Sequence, residues 1–255
     1  MGIDLFVHSV RLVLGDWRNA LRLSGLLYLI YAVPTLLLRL AFPVPSQNAT
    51  MADATAALAA APFALLTGIF ALVAFVWIAV AWHRYVLLDE MPDGQFPAFN
   101  GSRLFSYGLY SLGIGLLALV VGAVVGAVAG LVFAIVPVLL FVAALAAMAA
   151  ALVVFYRLAP VLPATAVGRP LTFGTAWEAT KGASSAIIVL AIVSAVASFV
   201  IDLPAMVLSM GGSIGSTLAL LWTLGTDWLR MLVGVSILTT LYGHYVEGRA
   251  IPSAR

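Results

Sequence analysis

In the stretch LGTDWLRML (Leu224 to Leu232), Asp227 and Arg230 interrupt a run that is otherwise hydrophobic from Leu218 to Tyr242. Three residues apart, the two face the same way on a helix, and Thr223 and Gly234 extend that stripe. Asp202 occupies a similar depth in the preceding apolar run, and Arg39 ends the first one. Two acids and two arginines near one level make a neutral set. Charged side chains are costly in hydrocarbon and often line a polar cavity, so one reading is a proton or substrate path. The other is an outer-leaflet clasp whose arginines snorkel to water. The clasp is the simpler expectation, because each acid finds an arginine and none sits at the midplane. Asp227 and Arg230 are then expected to pair near the external face and tie the last span to its neighbours.

Other residues that could do chemistry are sparse. His83 and His244 fall at the ends of apolar runs, beside Arg84 and Glu247, and the third histidine, His8, is near the N-terminus. They read as interfacial polar residues, and no metal or cofactor site is assigned. Asp89, Glu90 and Asp93 surround a Pro-Asp-Gly turn. Carboxylate oxygens suit a divalent cation, yet a solvated turn is the simpler reading. There is no Walker lysine loop, His-Glu-x-x-His pair or Gly-x-Ser-x-Gly turn, and a CDP-alcohol phosphotransferase would need spaced aspartates that are lacking. No catalytic residue is assigned, which argues against an enzyme.

These few charges sit in a chain that is 64% hydrophobic and 9% charged, against about a quarter charged in soluble domains. Such a chain cannot cover its surface with polar groups, so lipid must be its solvent. The net charge of +2 is too small to suggest nucleic acid as a partner, and without cysteine there is no disulfide or thiolate chemistry.

A helix needs ~20 apolar residues to cross a ~30 Å hydrocarbon core. Six spans fit, at about 23–39, 62–82, 105–131, 138–157, 184–205 and 217–243. Every Lys and Arg except Arg39 and Arg230 then lies on one side, which places both termini in the cytoplasm of a bacterial inner membrane. The acidic residues Asp4 and Asp16 ahead of the first run argue against a cleaved signal peptide. Residues 1–22 instead read as one amphipathic helix, with Phe6, Val10, Val13, Trp17 and Leu21 opposite Asp4, His8, Arg11, Arg18 and Arg22. It is expected to lie on the cytoplasmic leaflet, where basic residues meet anionic headgroups.

Three segments, FVHSVRLVLGDWRNALRLS, FPAFNGSRLFSYGLYS and LTFGTAWEATKGASS, each lead an aromatic-bearing polar stretch into a span. The expected architecture is an all-α polytopic bundle of three helical hairpins with interfacial helices. Thr175 and Glu178 stand in capping-box spacing, so a short helix should begin there. The stretch from Pro43 reads as an external loop, and the join near Pro137 has almost no polar residue. Gly122, Gly126 and Gly130 form a small-xxx-small stripe suited to close packing on the alanine-rich fourth span. The 59 residues from Ser184 to Tyr242 exceed two standard spans, so residues 206–223 are expected either to belong to long tilted helices or to re-enter the membrane.

The combination of WHRYVLLDEMP, GRPLTFGTAWEATKG and LYGHYVEGR resembles a group of uncharacterised bacterial integral membrane proteins. These are similar to the membrane domain of some glycerophosphodiester phosphodiesterases. The resemblance implies a multi-helix membrane domain with amphipathic connectors, but no phosphodiesterase chemistry, since that family's catalysis sits in a separate soluble barrel. The first functional expectation is a non-enzymatic accessory or scaffold protein contacting membrane lipids and a protein partner in the membrane. The alternative is a small transporter or lipid-handling protein using the polar site of Asp202, Asp227 and Arg230.

Overall fold

A computed structural model describes residues 1–42, 51–92, 94–133 and 136–251. Residues 43–50 of the loop expected from Pro43, Asp93 of the acidic turn, part of the join before Pro137 and the terminal Arg255 lie outside them, whereas residues 51–60 of that expected loop are helical, their run of alanines extending the next span. Nine helices and no strand occur among the described residues: α1 (Gly2–Leu14), α2 (Trp17–Ala41), α3 (Met51–Leu88), α4 (Gly101–Phe133), α5 (Pro137–Leu158), α6 (Val161–Ala166), α7 (Phe173–Ala179), α8 (Ser184–Ser209) and α9 (Gly212–Tyr245).

Six of these, α2, α3, α4, α5, α8 and α9, are long and apolar enough to cross a membrane. They pack as three antiparallel hairpins, α2 with α3, α4 with α5, and α8 with α9. The apolar surface of the bundle faces outward, as lipid requires: Leu131 and Phe141 are exposed whereas Trp82, Tyr107, Leu232 and Leu241 are fully buried. Among hydrophobic solvent tails, helix association rests on close packing and interhelical hydrogen bonds. At Gly122 a Cβ would stand 3.0 Å from the Ala151 Cβ, and at Gly126 one would stand 3.1 Å from that of Ala147. These two glycines seat α5 against α4. Gly130 does not join them, because a Cβ there would meet nothing within 4 Å.

The N-terminal segment differs from the expected single helix. It breaks at Gly15 and Asp16, and the buried stripe of α1 is Gly2, Leu5, Ser9 and Val13. Trp17 and Leu21 are exposed on α2. The physical reason is tertiary: α1 packs against α8 and α9, where Gly2 approaches the backbone of Ala186 and Leu190 too closely for any side chain. Asp16 at the start of α2 is held by the Tyr85 hydroxyl and by Asn19 Nδ2 at 3.1 Å. Burial, and then the Arg11 charge, lower the pKa of His8 on α1 from its ordinary value.

Basic residues collect at the end of the bundle that carries α1, α6, α7 and the end of α9. There α6 is buried at every residue, and Arg84 donates to the Ala166 carbonyl at its C-terminus at 3.1 Å while pairing with Glu90. Asp89 takes a left-handed conformation (φ 56°) to close α3. Thr172, not Thr175, caps α7: its extended backbone lets Oγ1 accept the Thr175 N–H at 3.1 Å. Among the described residues the second hairpin has no interfacial helix, since its polar entry becomes the first turns of α4.

The long last hairpin is two continuous helices of 26 and 34 residues joined at Met210 and Gly211. Residues 212–223 form the start of α9 without a break, so the re-entrant alternative is not what the chain adopts. At 1.5 Å per residue α9 measures about 51 Å, well over the ~30 Å core, which requires tilt or a projecting end.

Candidate functional site

Asp202 lies two residues before Pro204 in α8. Proline supplies no N–H to the carbonyl four residues back, which loosens the ladder there. Opposite, the Trp222 indole of α9 donates to the Ile201 carbonyl at 2.9 Å and fixes the register of the two helices. That register sets Arg230 against Asp202. Its Nη1 donates to Asp202 Oδ2 at 3.2 Å and its Nη2 to Asp202 Oδ1, a bidentate pair of the strong charge-assisted kind. Arg230 Nη2 also reaches Thr226 Oγ1 at 3.4 Å.

The expected Asp227 to Arg230 pair is therefore secondary, with Asp227 Oδ1 3.9 Å from Nη1. Two side chains three apart on one helix point along the same face, whereas Asp202 meets the guanidinium head-on from a neighbour. Arg39 at the end of α2 forms no ion pair or hydrogen bond with the described residues, although it lines a groove with Asp202. Three of the four expected residues are thus joined directly, and Arg39 stands across a gap.

The cluster is not closed. The Arg230 side chain is 27% exposed and the Asp202 side chain 38%. A cavity of about 620 Å³ between α2, α3 and α9 is lined by Tyr28, Tyr31, Phe75, Ile78, Asp227 and Arg230. A second, of about 520 Å³, is lined by Arg39, Asp202, Ser209, Ser216, Thr223 and apolar residues of α8 and α9. The first is apolar with charge at its edge; the second is richer in hydroxyls. The Tyr28 hydroxyl donates to the Leu224 carbonyl at 2.6 Å, and the Trp228 indole donates to Ser24 Oγ at 2.8 Å. These bonds fasten α2 to α9 and hold the first cavity's walls.

A second polar network, which sequence reasoning missed, lies nearer the basic end. Trp82 Nε1 donates to Ser236 Oγ at 2.7 Å, His83 bridges Thr239 Oγ1 at 2.8 Å and the Tyr107 hydroxyl at 3.0 Å, and Ser9 Oγ meets Thr240 Oγ1 at 3.0 Å. One short stretch of α9 thereby holds α1, α3 and α4. His83 is fully buried rather than interfacial, because α3 continues past it to Leu88 and α6 covers that end. The signal was available in three hydroxyl residues within five positions of an apolar helix. Glu90 of the acidic turn is engaged by Arg84, and His244 Nδ1 contacts the Arg249 carbonyl at 3.0 Å. Among the described residues no three His, Asp or Glu side chains group as metal ligands.

Fold and site together define an integral membrane protein, an all-α bundle of six apolar helices with a partly exposed charge cluster. Comparison with protein-family models, curated proteins and solved structures gives no match.

Proposed function

We propose that this protein handles a lipid or another membrane-dissolved amphiphile through the cluster of Asp202, Asp227 and Arg230. The observation that carries the reading is that a bidentate ion pair sits on the rim of two sizeable cavities instead of being sealed between helices. A clasp needs only a closed pair. A site needs charge placed beside unfilled space with few convergent polar groups, and this arrangement supplies it. Arg39 and the hydroxyls of Ser209, Ser216 and Thr223 suit a polar head, and the apolar cavity beside Tyr28 and Phe75 suits a chain.

The scaffold alternative leans on α1 as a docking element, yet the buried stripe of α1 is already taken up by α8 and α9. The positive-inside rule orients the basic end to the cytoplasm of a bacterial inner membrane.

The test is gentle extraction into nanodiscs and mass spectrometry of bound lipid for the native protein, Asp202→Asn, Asp227→Asn and Arg230→Gln. An enriched amphiphile lost in variants of normal abundance is the expected result. Lipid matching the bulk membrane, or variants that lose abundance alone, would return the cluster to the role of clasp. A stoichiometric protein partner would favour the scaffold.

A further inference from the structure

The cavity of about 520 Å³ between α2, α8 and α9 has polar walls of two opposite characters. Arg39 of α2 is its one cation among the described residues, and its exposed side chain can only donate. The polar groups from α8 and α9 chiefly accept. The Ser209 hydroxyl spends its proton on the Met206 carbonyl at 2.7 Å, and the Thr223 hydroxyl donates to the Ala219 carbonyl at 2.9 Å. Each therefore offers an occupant lone pairs, whereas the Ser216 hydroxyl can turn to donate or accept. Asp202 adds a carboxylate. Arg230 takes one bond from each of its oxygens, and a carboxylate has about four lone-pair sites, so the partly exposed Asp202 keeps acceptor capacity.

Charge follows the same division. The single positive charge of Arg230 is shared by two carboxylates, Asp202 directly and Asp227 at 3.9 Å, so that corner carries one net negative charge. Arg39 balances it from α2 without an ion pair to any described residue. A purely anionic head would gain Arg39 and meet the negative corner, and a purely cationic one would do the reverse. A zwitterion meets both with the right sign, and away from bulk water those attractions strengthen. The acceptors select further. A primary ammonium has three N–H donors for Asp202, Ser209 and Thr223, whereas a quaternary ammonium has none. A phosphate fits the planar fork of Arg39. A lipid is favoured over a free solute because Phe199 and Met206 line the same cavity and are exposed on the apolar outer surface.

We propose that this cavity selects a zwitterionic lipid headgroup built of a phosphate and a primary ammonium, the chemistry of phosphatidylethanolamine. The phosphate accepts from Arg39, and the ammonium donates to Asp202 and to the Ser209 and Thr223 hydroxyls. The inference rests on the lipid-handling reading and names the headgroup that the site takes.

The test places the full chain in nanodiscs of equal parts dioleoyl phosphatidylethanolamine, phosphatidylcholine and phosphatidylglycerol, re-extracts it into mild detergent and measures the lipid that stays bound by mass spectrometry. Identical chains leave the headgroup as the variable. We expect phosphatidylethanolamine to be retained at least about tenfold over the other two. Arg39→Gln, which removes the phosphate contact, should lower the amount of every lipid retained. Asp202→Asn makes the site net positive and should turn the preference to phosphatidylglycerol. Thr223→Val keeps the charges and the shape but removes one acceptor, so the preference over phosphatidylcholine should fall by about threefold even where Asp202→Asn folds poorly. Equal retention of the ethanolamine and choline lipids, or an undiminished preference in Thr223→Val, would overturn the proposal. Release of the bound lipid by an equal concentration of O-phosphoethanolamine would also overturn it, by showing a site for a free solute. Phosphatidylglycerol retained above the rest by the native protein would sink the zwitterion and leave lipid handling standing, whereas no lipid retained above its share of the nanodisc would sink both.

Discussion

Arg230 of α9 donates to both carboxylate oxygens of Asp202 on α8, and this pair, not the sequence-adjacent Asp227, is the principal electrostatic tie between the last two spans. Asp202→Asn should therefore destabilise the protein more than Asp227→Asn. Removing one partner of a fully buried pair costs ~3–5 kcal/mol, but this pair is about a third exposed, so we expect about 1–2 kcal/mol. Thermal melting in mild detergent measures it. If the charge-reversed double variant Asp202→Arg with Arg230→Asp recovers no stability over its single variants, the pairing is not what holds the helices.

The His83 network makes a stronger structural demand. His83→Leu leaves the Tyr107 hydroxyl without its partner in a dry interior, while Thr239 Oγ1 keeps only the Val235 carbonyl, for an expected loss of about 1–3 kcal/mol. Ser236→Ala, which leaves the Trp82 indole unpaired, should cost about 1–2 kcal/mol. Both are read as shifts in the detergent melting midpoint relative to wild type, and a His83→Leu variant as stable as wild type would refute the network.

The three glycines of α4 should separate sharply. Gly122→Val and Gly126→Val force their side chains into Ala147 and Ala151 and should destabilise the hairpin by about 1–3 kcal/mol. Gly130→Ala meets open space and should gain up to about 1 kcal/mol of helix propensity. A uniform loss at all three positions would show that the hairpin stays closed through Gly130.

The docking of α1 should depend on pH through His8. Its folded pKa lies below the ordinary value of 6.5, chiefly from burial and then from Arg11, so the folded state resists protonation. Above pH 6.5 both states are neutral and His8 has no effect; as pH falls below 6.5 the unfolded state takes up the proton first and stability declines, levelling off below the folded pKa. The difference in melting midpoint between pH 7.5 and 5.5 should be smaller in His8→Gln than in the native protein. An identical difference would sink the assignment.

Much of this protein was written in its composition. Six apolar segments, too few charges to cover a soluble surface, and basic residues gathered at alternate helix ends specify a membrane bundle, because lipid admits few other solutions for a polar backbone. The exceptional residues Asp202, Asp227 and Arg230 were also legible, since a charge in an apolar helix is visible by contrast alone. What the sequence could not decide was pairing across helices. Periodicity ran α1 through to Leu21, but the fold broke it at Gly15 and turned Leu5, Ser9 and Val13 inward, because close approach to α8 and α9 outweighed the one-dimensional pattern. Likewise His83 read as an interfacial residue until Tyr107 and Thr239 closed on it from two other helices. Local pattern fixes which residues lipid will tolerate; only the relative register of the helices decides which polar atoms find partners and which, like Arg230 Nε, are buried without one.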